Sequence, residues 1–215
     1  DAVRLLAALG ADRELAPAVV AALTDHVYLH RTASTVRHAV GSIQRIVGAL
    51  KSYSHLDHQA VRTLADIHEG LETTLVLLHH ALRGIVVERR FGALPRVAVY
   101  VDELNQVWTN LIQNAQHAAA SRAGGGGKIA IETAVEGSWI VVSVTDNGPG
   151  VPEDVLPRIF EPFFTTKRTG EGTGLGLGIA RQIVDKHGGT MRCDSRPGDT
   201  RFEVRLPIAG AEGGA

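Results

Sequence analysis

Four stretches of the chain pair reactive or ligand-binding residue types with unusual spacing. Asp146-Asn147-Gly148-Pro149-Gly150 follows directly on the apolar run Trp139 to Val144. A carboxylate at a strand end can accept a hydrogen bond from an exocyclic amine, and the glycines let backbone approach a flat ring closely. The same residues also make an ordinary turn. Gly172-Thr173-Gly174-Leu175-Gly176-Leu177-Gly178 opens a helical pattern. Alternating glycines can aim bare N–H groups at phosphate, with the helix N-terminus adding positive potential. A dinucleotide-binding turn does not fit, because no strand of a parallel βαβ unit leads into these glycines. A Walker loop does not fit either, because no Gly-Lys-Ser/Thr occurs. A flexible linker would waste Leu175, Leu177 and Ile179. Asn110 and Asn114 lie four apart on one helical face. An amide oxygen is a neutral, hard ligand for a Mg²⁺ that already carries phosphate oxygens, whereas the plain reading is two solvated helix residues. His117, three residues on, is near enough to meet a phosphate. Ile159 to Lys167 holds three of the five phenylalanines, which suit the anchor of a loop. The polar stretch Lys167 to Glu171 is then a lid candidate.

These stretches need elements to hold them. Val97 to Val101 and Ile85 to Phe91 have strand composition. Asp102 to Ser121 is helical, with Leu104, Val107, Leu111 and Ile112 apolar at helical spacing. Ile129 to Ile131 and Trp139 to Val144 read as paired strands of a hairpin. A helix is predicted from about Leu175 to His187, stopped by Gly188-Gly189. Met191 to Ser195 and Phe202 to Leu206 read as closing strands. Asp66 with Glu69 matches a capping box, and Ile67, Leu71, Leu75, Leu78 and Leu82 line the face of the helix behind it, with Gly84 as its stop. The fold class is therefore α+β, a mixed sheet covered by helices and not a doubly wound one. The first part, to about residue 60, reads helical. Leu15, Val19, Ala22, His26, Leu29 and Ala33 form one apolar seam; Val36, Val40, Ile43, Val47 and Leu50 form a second. Two seams suit a helical hairpin or one long helix that dimerises, or an ordinary bundle without chemistry.

Composition narrows the classes. The chain has 215 residues, 44% of them hydrophobic, and a formal net charge of -1, which gives no reason to expect nucleic acid or anionic lipid as a partner. Cys193 is the only cysteine, so no disulfide can form within the chain, and a reducing, cytoplasmic setting fits. No apolar run is long enough to span a bilayer. The chain starts at Asp1 without a signal-peptide pattern and reads as part of a longer protein, with room upstream for a sensor or a membrane anchor.

Taken in order, the four stretches resemble the catalytic, ATP-binding domain of bacterial two-component sensor histidine kinases. That domain shares a superfamily with gyrase, the MutL proteins and the ninety-kilodalton heat-shock chaperone. Asn110 to Ala115 resembles its asparagine box, Asp146 to Gly150 its first glycine box, Phe160 to Phe164 its phenylalanine box and Gly172 to Gly178 its second glycine box. Gly198-Asp199-Thr200, with Phe202 and Leu206-Pro207, resembles its closing motif. The resemblance implies a Bergerat-type sandwich at 61–215 behind a dimerising helical region at 1–60. It implies that Asn114 coordinates Mg²⁺ with Asn110 assisting, and that Asp146 accepts from the adenine amine while Gly148 and Gly150 line the base. His117 would face the phosphates and Lys167 would reach them. Gly172, Thr173, Gly174, Leu175, Gly176 and Leu177 would form the phosphate loop, with backbone N–H groups of the last four as donors. Thr200 would support the adenine end. Gyrase-like relatives place a water-activating glutamate where this chain has Asn110. An amide cannot serve as that base, which favours phosphoryl transfer over hydrolysis.

The resemblance implies ATP and Mg²⁺ as cofactors, a homodimer through the N-terminal helices, and a response-regulator receiver domain as partner. The family's usual His-Glu/Asp-x-x-x-Pro phosphoacceptor motif is absent, although Ser52 to Asp57 resembles the end of the hairpin that carries it. Of His26, His30, His38, His55 and His58, the candidates are His30 and His26. Two alternatives remain: a kinase of a separate protein, on His or Ser/Thr, and a non-enzymatic ATP-binding regulator.

Overall fold

The computed structural model describes residues 19, 21–30, 32, 61–122, 125–167 and 172–208. The chain divides into two compact units, Asp1–Leu50 and Lys51–Ala215. In the first unit, residues 21–30 are helical and solvent-exposed, with Leu23, Val27, Tyr28 and Leu29 each more than half exposed. The second seam, its junction with the first, His38, His55, His58 and the lid stretch after Lys167 lie outside the described residues.

The second unit runs β1 (Thr63–Ala65), α1 (Ile67–Leu77), β2 (Val86–Phe91), β3 (Val97–Val99), α2 (Val101–Ala120), β4 (Lys128–Glu136), β5 (Trp139–Asp146), a short 3-10 turn (Leu156–Arg158), α3 (Gly176–Lys186), β6 (Thr190–Arg196) and β7 (Asp199–Pro207). The mixed α+β class holds. Five strands form a sheet in the order β2-β4-β5-β7-β6, and β1 pairs with β3 separately. β2 lies parallel to β4, which requires a crossover, here made by β3 and α2; the other sheet pairs are antiparallel. One face of the sheet is apolar: Ile129 and Ile131 of β4, Ile140, Val142 and Val144 of β5, and Phe202, Val204 and Leu206 of β7. The helices cover it, α2 contributing Leu104, Val107, Trp108, Leu111 and Ile112.

Several local expectations change. The helix drawn through Leu82 to a stop at Gly84 ends at Leu77, and turns follow it. The strand drawn through Val101 stops at Val99, because Val101 already belongs to α2, with Asp102 and Glu103 in the first turn where the helix dipole favours acids. Asp66 caps α1 by accepting from the His68 N–H at 2.8 Å, whereas Glu69 pairs with Arg96 at 3.8 Å. β1 gave no periodic signal, being only three residues long and held by its partner β3.

α2 and α3 run side by side, joined at the start of α2 and the end of α3. There His187 is buried, and its Nδ1–H donates to the Ile183 carbonyl at 2.7 Å. Its Nε2 accepts from the Tyr100 N–H at 3.0 Å, a bond that requires the neutral ring. Burial lowers its pKa, in the same direction. Lys186 reinforces the joint by pairing with Glu103 at 2.7 Å. The two helices that carry Asn114 and the second glycine box are thus fastened at the end away from those residues.

Candidate functional site

One row of α2, at four-residue spacing, organises the site. Asn110, Asn114 and Ala118 follow one another along the helix, and each faces a different loop. A Cβ added at Gly176 would lie 3.1 Å from Asn110 Oδ1. Lys167 Nζ donates to Asn114 Oδ1 at 3.2 Å. A Cβ added at Gly148 would lie 2.7 Å from the Ala118 Cβ and 2.8 Å from its carbonyl carbon. The two glycine boxes and Lys167, far apart in sequence, therefore converge on one helix edge. That edge stays polar because Leu111, Ile112 and Ala115 take the buried face. Ala118 was not singled out from the sequence, although its place four residues after Asn114 was the available signal.

At one end of the row, Asp146 closes β5 and is buried, 3% exposed. Its Oδ1 accepts from the Gly148 N–H at 2.9 Å. Burial, with a smaller contribution from the nearby Asp199 charge, pushes its pKa from 3.8 up to about 6. Thr200 of β7 is its register partner and is equally buried. The Thr200 hydroxyl meets Ser195 Oγ at 2.8 Å, and that same oxygen accepts from the Val151 N–H at 2.8 Å. Gly198 N–H donates to the Gly148 carbonyl at 2.8 Å. Gly150 takes φ +87°, and a Cβ there would press 2.9 Å from the Arg196 carbonyl carbon. Asn147 points the other way: Oδ1 accepts from the Lys128 N–H at 2.8 Å, and Nδ2 donates to the Gly126 carbonyl at 3.0 Å. The first glycine box is therefore fixed by β4 on one side and the β6–β7 hairpin on the other. Ser195 and Asn147 are supports that the sequence did not single out.

At the other end, α3 begins at Gly176 with Leu175 as N-cap and no side-chain capping bond. Its first N–H groups thus face outward with the positive end of the helix dipole. The glycines around it allow close packing as well as N–H display. Gly174, at φ +67°, rests on the Phe163 and Phe164 carbonyls, whose oxygens would each be 2.6 Å from an added Cβ. Gly178 packs against the Phe160 carbonyl, 3.2 Å from an added Cβ. Phe160 and Phe164 are half-buried, under the guanidinium groups of Arg181 and Arg158. Phe163 does not anchor the loop: it is 73% exposed and sits at φ +66°, the one described non-glycine residue with positive φ. Gly172, Thr173, Leu175 and Leu177 are half-buried beside this turn.

His117 is exposed, and its Nδ1–H donates to the Gln113 carbonyl of its own helix at 2.7 Å. Asn110 Nδ2 is buried and has no hydrogen-bond partner. His26 and His30 lie in the first unit, both exposed, with ring centroids 6.4 Å apart. A cavity of about 310 Å³ lies between β1, α1 and the start of α2, lined by Asp66, Glu69, Asn105 and Trp108 among others. It contains none of the candidate nucleotide-, metal- or phosphate-binding residues, so the candidate site is the α2 row.

Gly174→Ala is expected to cost about 2 kcal/mol of stability, because the new methyl meets backbone in a left-handed conformation. Gly172→Ala, whose Cβ would meet only the Thr165 hydroxyl at 3.0 Å and the Lys167 stem at 3.2 Å, costs less. Thermal unfolding of both variants checks this; equal melting temperatures would overturn the role given to the Phe163–Gly174 contact.

Residues 100–210 match the family described as Histidine kinase-, DNA gyrase B-, and HSP90-like ATPase. The sensor histidine kinase ZraS of Escherichia coli (strain K12) is 33% identical over 183 residues, covering 83% of this chain and 38% of that protein. The sensory histidine kinase/phosphatase NtrB of Rhizobium meliloti (strain 1021) is 42% identical over 143 residues, covering 60% of this chain and 36% of that one. The chain thus spans well under half the length of these relatives. Among solved structures, the catalytic domain of histidine kinase ThkA aligns with a TM-score of 0.62 at 34% identity, covering 69% of this chain and 96% of that one. ThkA in complex with the response regulator protein TrrA aligns with a TM-score of 0.65 at 28% identity, covering 81% of this chain and 50% of that one. An edge of α2 that gathers two glycine boxes, a buried strand-end carboxylate and these relatives lead to one assignment: the chain belongs to the family of histidine kinase-, DNA gyrase B- and HSP90-like ATPases.

Proposed function

We propose that this chain is the phosphoryl-transferring part of a two-component sensor histidine kinase, taking the γ-phosphoryl of ATP to a histidine and onward to a response-regulator aspartate. The observation that carries the reading is the α2 row, which brings Asn110, Asn114 and Ala118 against the second glycine box, Lys167 and the first glycine box in turn.

Each part has a physical task. The Asp146 carboxylate accepts from the adenine amine, supported through β7 by Thr200, while Gly148 and Gly150 line the base. The first N–H groups of α3 and the loop Gly172 to Leu177 receive phosphate oxygens. Asn110 Nδ2 is a buried donor without a partner and suits a phosphate oxygen, so Asn110 assists the metal site chiefly by fixing the nucleotide. Lys167 adds positive charge near the phosphates, and His117 stands on the same helix one turn beyond Asn114. Asn114 Oδ1 fits Mg²⁺, since it already accepts from a cation, the Lys167 ammonium. Bound Mg²⁺ supplies charge neutralisation on the phosphates. No carboxylate stands at Asn110 to activate water, so the geometry favours transfer to a side chain. In that step an imidazole nitrogen bonds to the γ-phosphorus, the bond to the β-phosphate oxygen breaks, ADP leaves, and the ring proton passes to solvent.

His30 and His26 are the acceptor candidates, exposed four residues apart on one helix. Exposed Leu23, Val27 and Leu29 on that helix support a homodimer. An upstream sensor and a cytoplasmic setting for the catalytic unit belong to the same reading. Among the described residues no helix is long and apolar enough to cross a membrane. The missing His-Glu/Asp-x-x-x-Pro pattern favours one second reading, a kinase whose acceptor is on another protein. Incubation with γ-labelled ATP separates them. The favoured reading expects acid-labile, base-stable label that disappears in His30→Ala or His26→Ala. Absence of self-labelling with nucleotide binding intact overturns it for this chain and favours the second.

A further inference from the structure

The contact between Lys167 and Asn114 joins residues 53 positions apart in the chain and places a cation on the oxygen assigned above to the metal. It is built, and not a chance touch of a free side chain. The Lys167 backbone N–H donates to the Thr165 hydroxyl at 3.2 Å, which fixes the direction in which the side chain leaves the loop. The stem then passes Gly172, where an added Cβ would lie 3.2 Å from Lys167 Cδ. The ammonium ends on Asn114 Oδ1, in a half-buried setting on the edge of α2. Asn114 offers a single amide oxygen. An ammonium bonded at 3.2 Å and a Mg²⁺ at its usual distance of about 2.1 Å would crowd one oxygen atom as two like charges a few ångströms apart, and repel each other. The two cations therefore compete for it.

We infer that Lys167 is a resident cation in the metal position: without nucleotide it occupies Asn114 Oδ1, and Mg²⁺ arriving with the nucleotide must displace it. The inference rests on the reading of Asn114 as the magnesium ligand and adds a regulation to it. The apparent metal affinity is lowered by the fraction of molecules in which the oxygen is already taken. Displacement also takes the Lys167 ammonium off Asn114 Oδ1. An empty site keeps its half-buried amide oxygen satisfied, and a metal-loaded one has exchanged that ammonium for the metal.

The test is a titration of ADP binding with Mg²⁺, read by calorimetry, on the parent chain, Lys167→Met and Asn114→Ala. ADP is chosen because it lacks the γ-phosphate that a lysine would most readily follow. The Mg²⁺ concentration giving half of the metal-dependent gain in ADP affinity is expected to fall about three- to tenfold in Lys167→Met, the range for a resident contact present in most molecules. Lys167→Arg, which keeps a cation, is expected to stay near the parent value. An unchanged or higher midpoint in Lys167→Met overturns the inference. If instead Asn114→Ala keeps the full metal-dependent gain, Asn114 is not the ligand; the parent reading fails, and the inference with it. The two failures are thereby told apart.

Discussion

Asp146→Asn is expected to weaken ADP binding about 100-fold, while the variant gains thermal stability relative to the parent as the pH is raised. Both effects come from one burial. The Asp146 carboxylate has two acceptor duties: it takes the Gly148 N–H at 2.9 Å and, in the proposed complex, the adenine amine. An asparagine has one acceptor oxygen. Kept on Gly148, it turns its NH2 toward the adenine amine, donor against donor, and a charge-assisted bond worth about 2–3 kcal/mol is lost. The stability effect has the opposite sign. Burial raises the Asp146 pKa from 3.8 to about 6, so the folded protein holds a proton that the unfolded chain has released. That proton's contribution is complete below pH 3.8 and lost as the pH rises through about 6. The neutral amide carries no such dependence. Melting temperatures at pH 5 and pH 8 check this: the variant-minus-parent difference should be larger at pH 8. Parent affinity for ADP should also fall as the pH drops through about 6, because the bound amine favours the ionised carboxylate. A flat difference between the two pH values, or undiminished ADP affinity in the variant, would remove Asp146 from the adenine site.

Asn114→Ala is expected to abolish the gain in nucleotide affinity that Mg²⁺ confers and to lower phosphoryl transfer at least about 100-fold, since charge neutralisation is most of what this chemistry asks of the protein. The fold should tolerate the change. Asn114 is only half-buried, it lies mid-helix, and alanine is the better helix former by a few tenths of a kcal/mol. An unchanged or slightly higher melting temperature with lost metal dependence separates a binding role from a structural one. Calorimetry with and without Mg²⁺ is the measurement; a persisting metal effect sinks the assignment.

The difference between Asn114 and Asn110 shows how far the sequence went. Their four-residue spacing put both amides on one helical face, and the structure keeps them there. It also separates their chemistry. Asn114 presents its oxygen to a cation, whereas Asn110 packs its oxygen on Gly176 and leaves its nitrogen as a buried donor. The second glycine box behaves similarly. Its position before a helix was legible as phosphate-binding, but three of its glycines also sit where another group comes close: the Phe163 and Phe164 carbonyls at Gly174, the Asn110 side chain at Gly176, and the Phe160 carbonyl at Gly178.

What the sequence by itself determined is local. The apolar stripe of α2, the β4–β5 hairpin, the carboxylate at the end of β5 and the helix starting at the second glycine box each follow from periodicity or punctuation within a dozen residues. The tertiary structure alone decided the parallel pairing of β2 with β4, the three-residue β1, the Tyr100–His187 joint, the Ser195 support beneath Thr200, the approach of Ala118 to Gly148 and the hold of Lys167 on Asn114. The physical reason is one of range. A helix face or a turn is encoded by neighbours that are close in any conformation. A bond across 53 or 87 residues forms only after the whole sheet and its covering helices have brought the two segments together. No local pattern records where the distant partner will arrive.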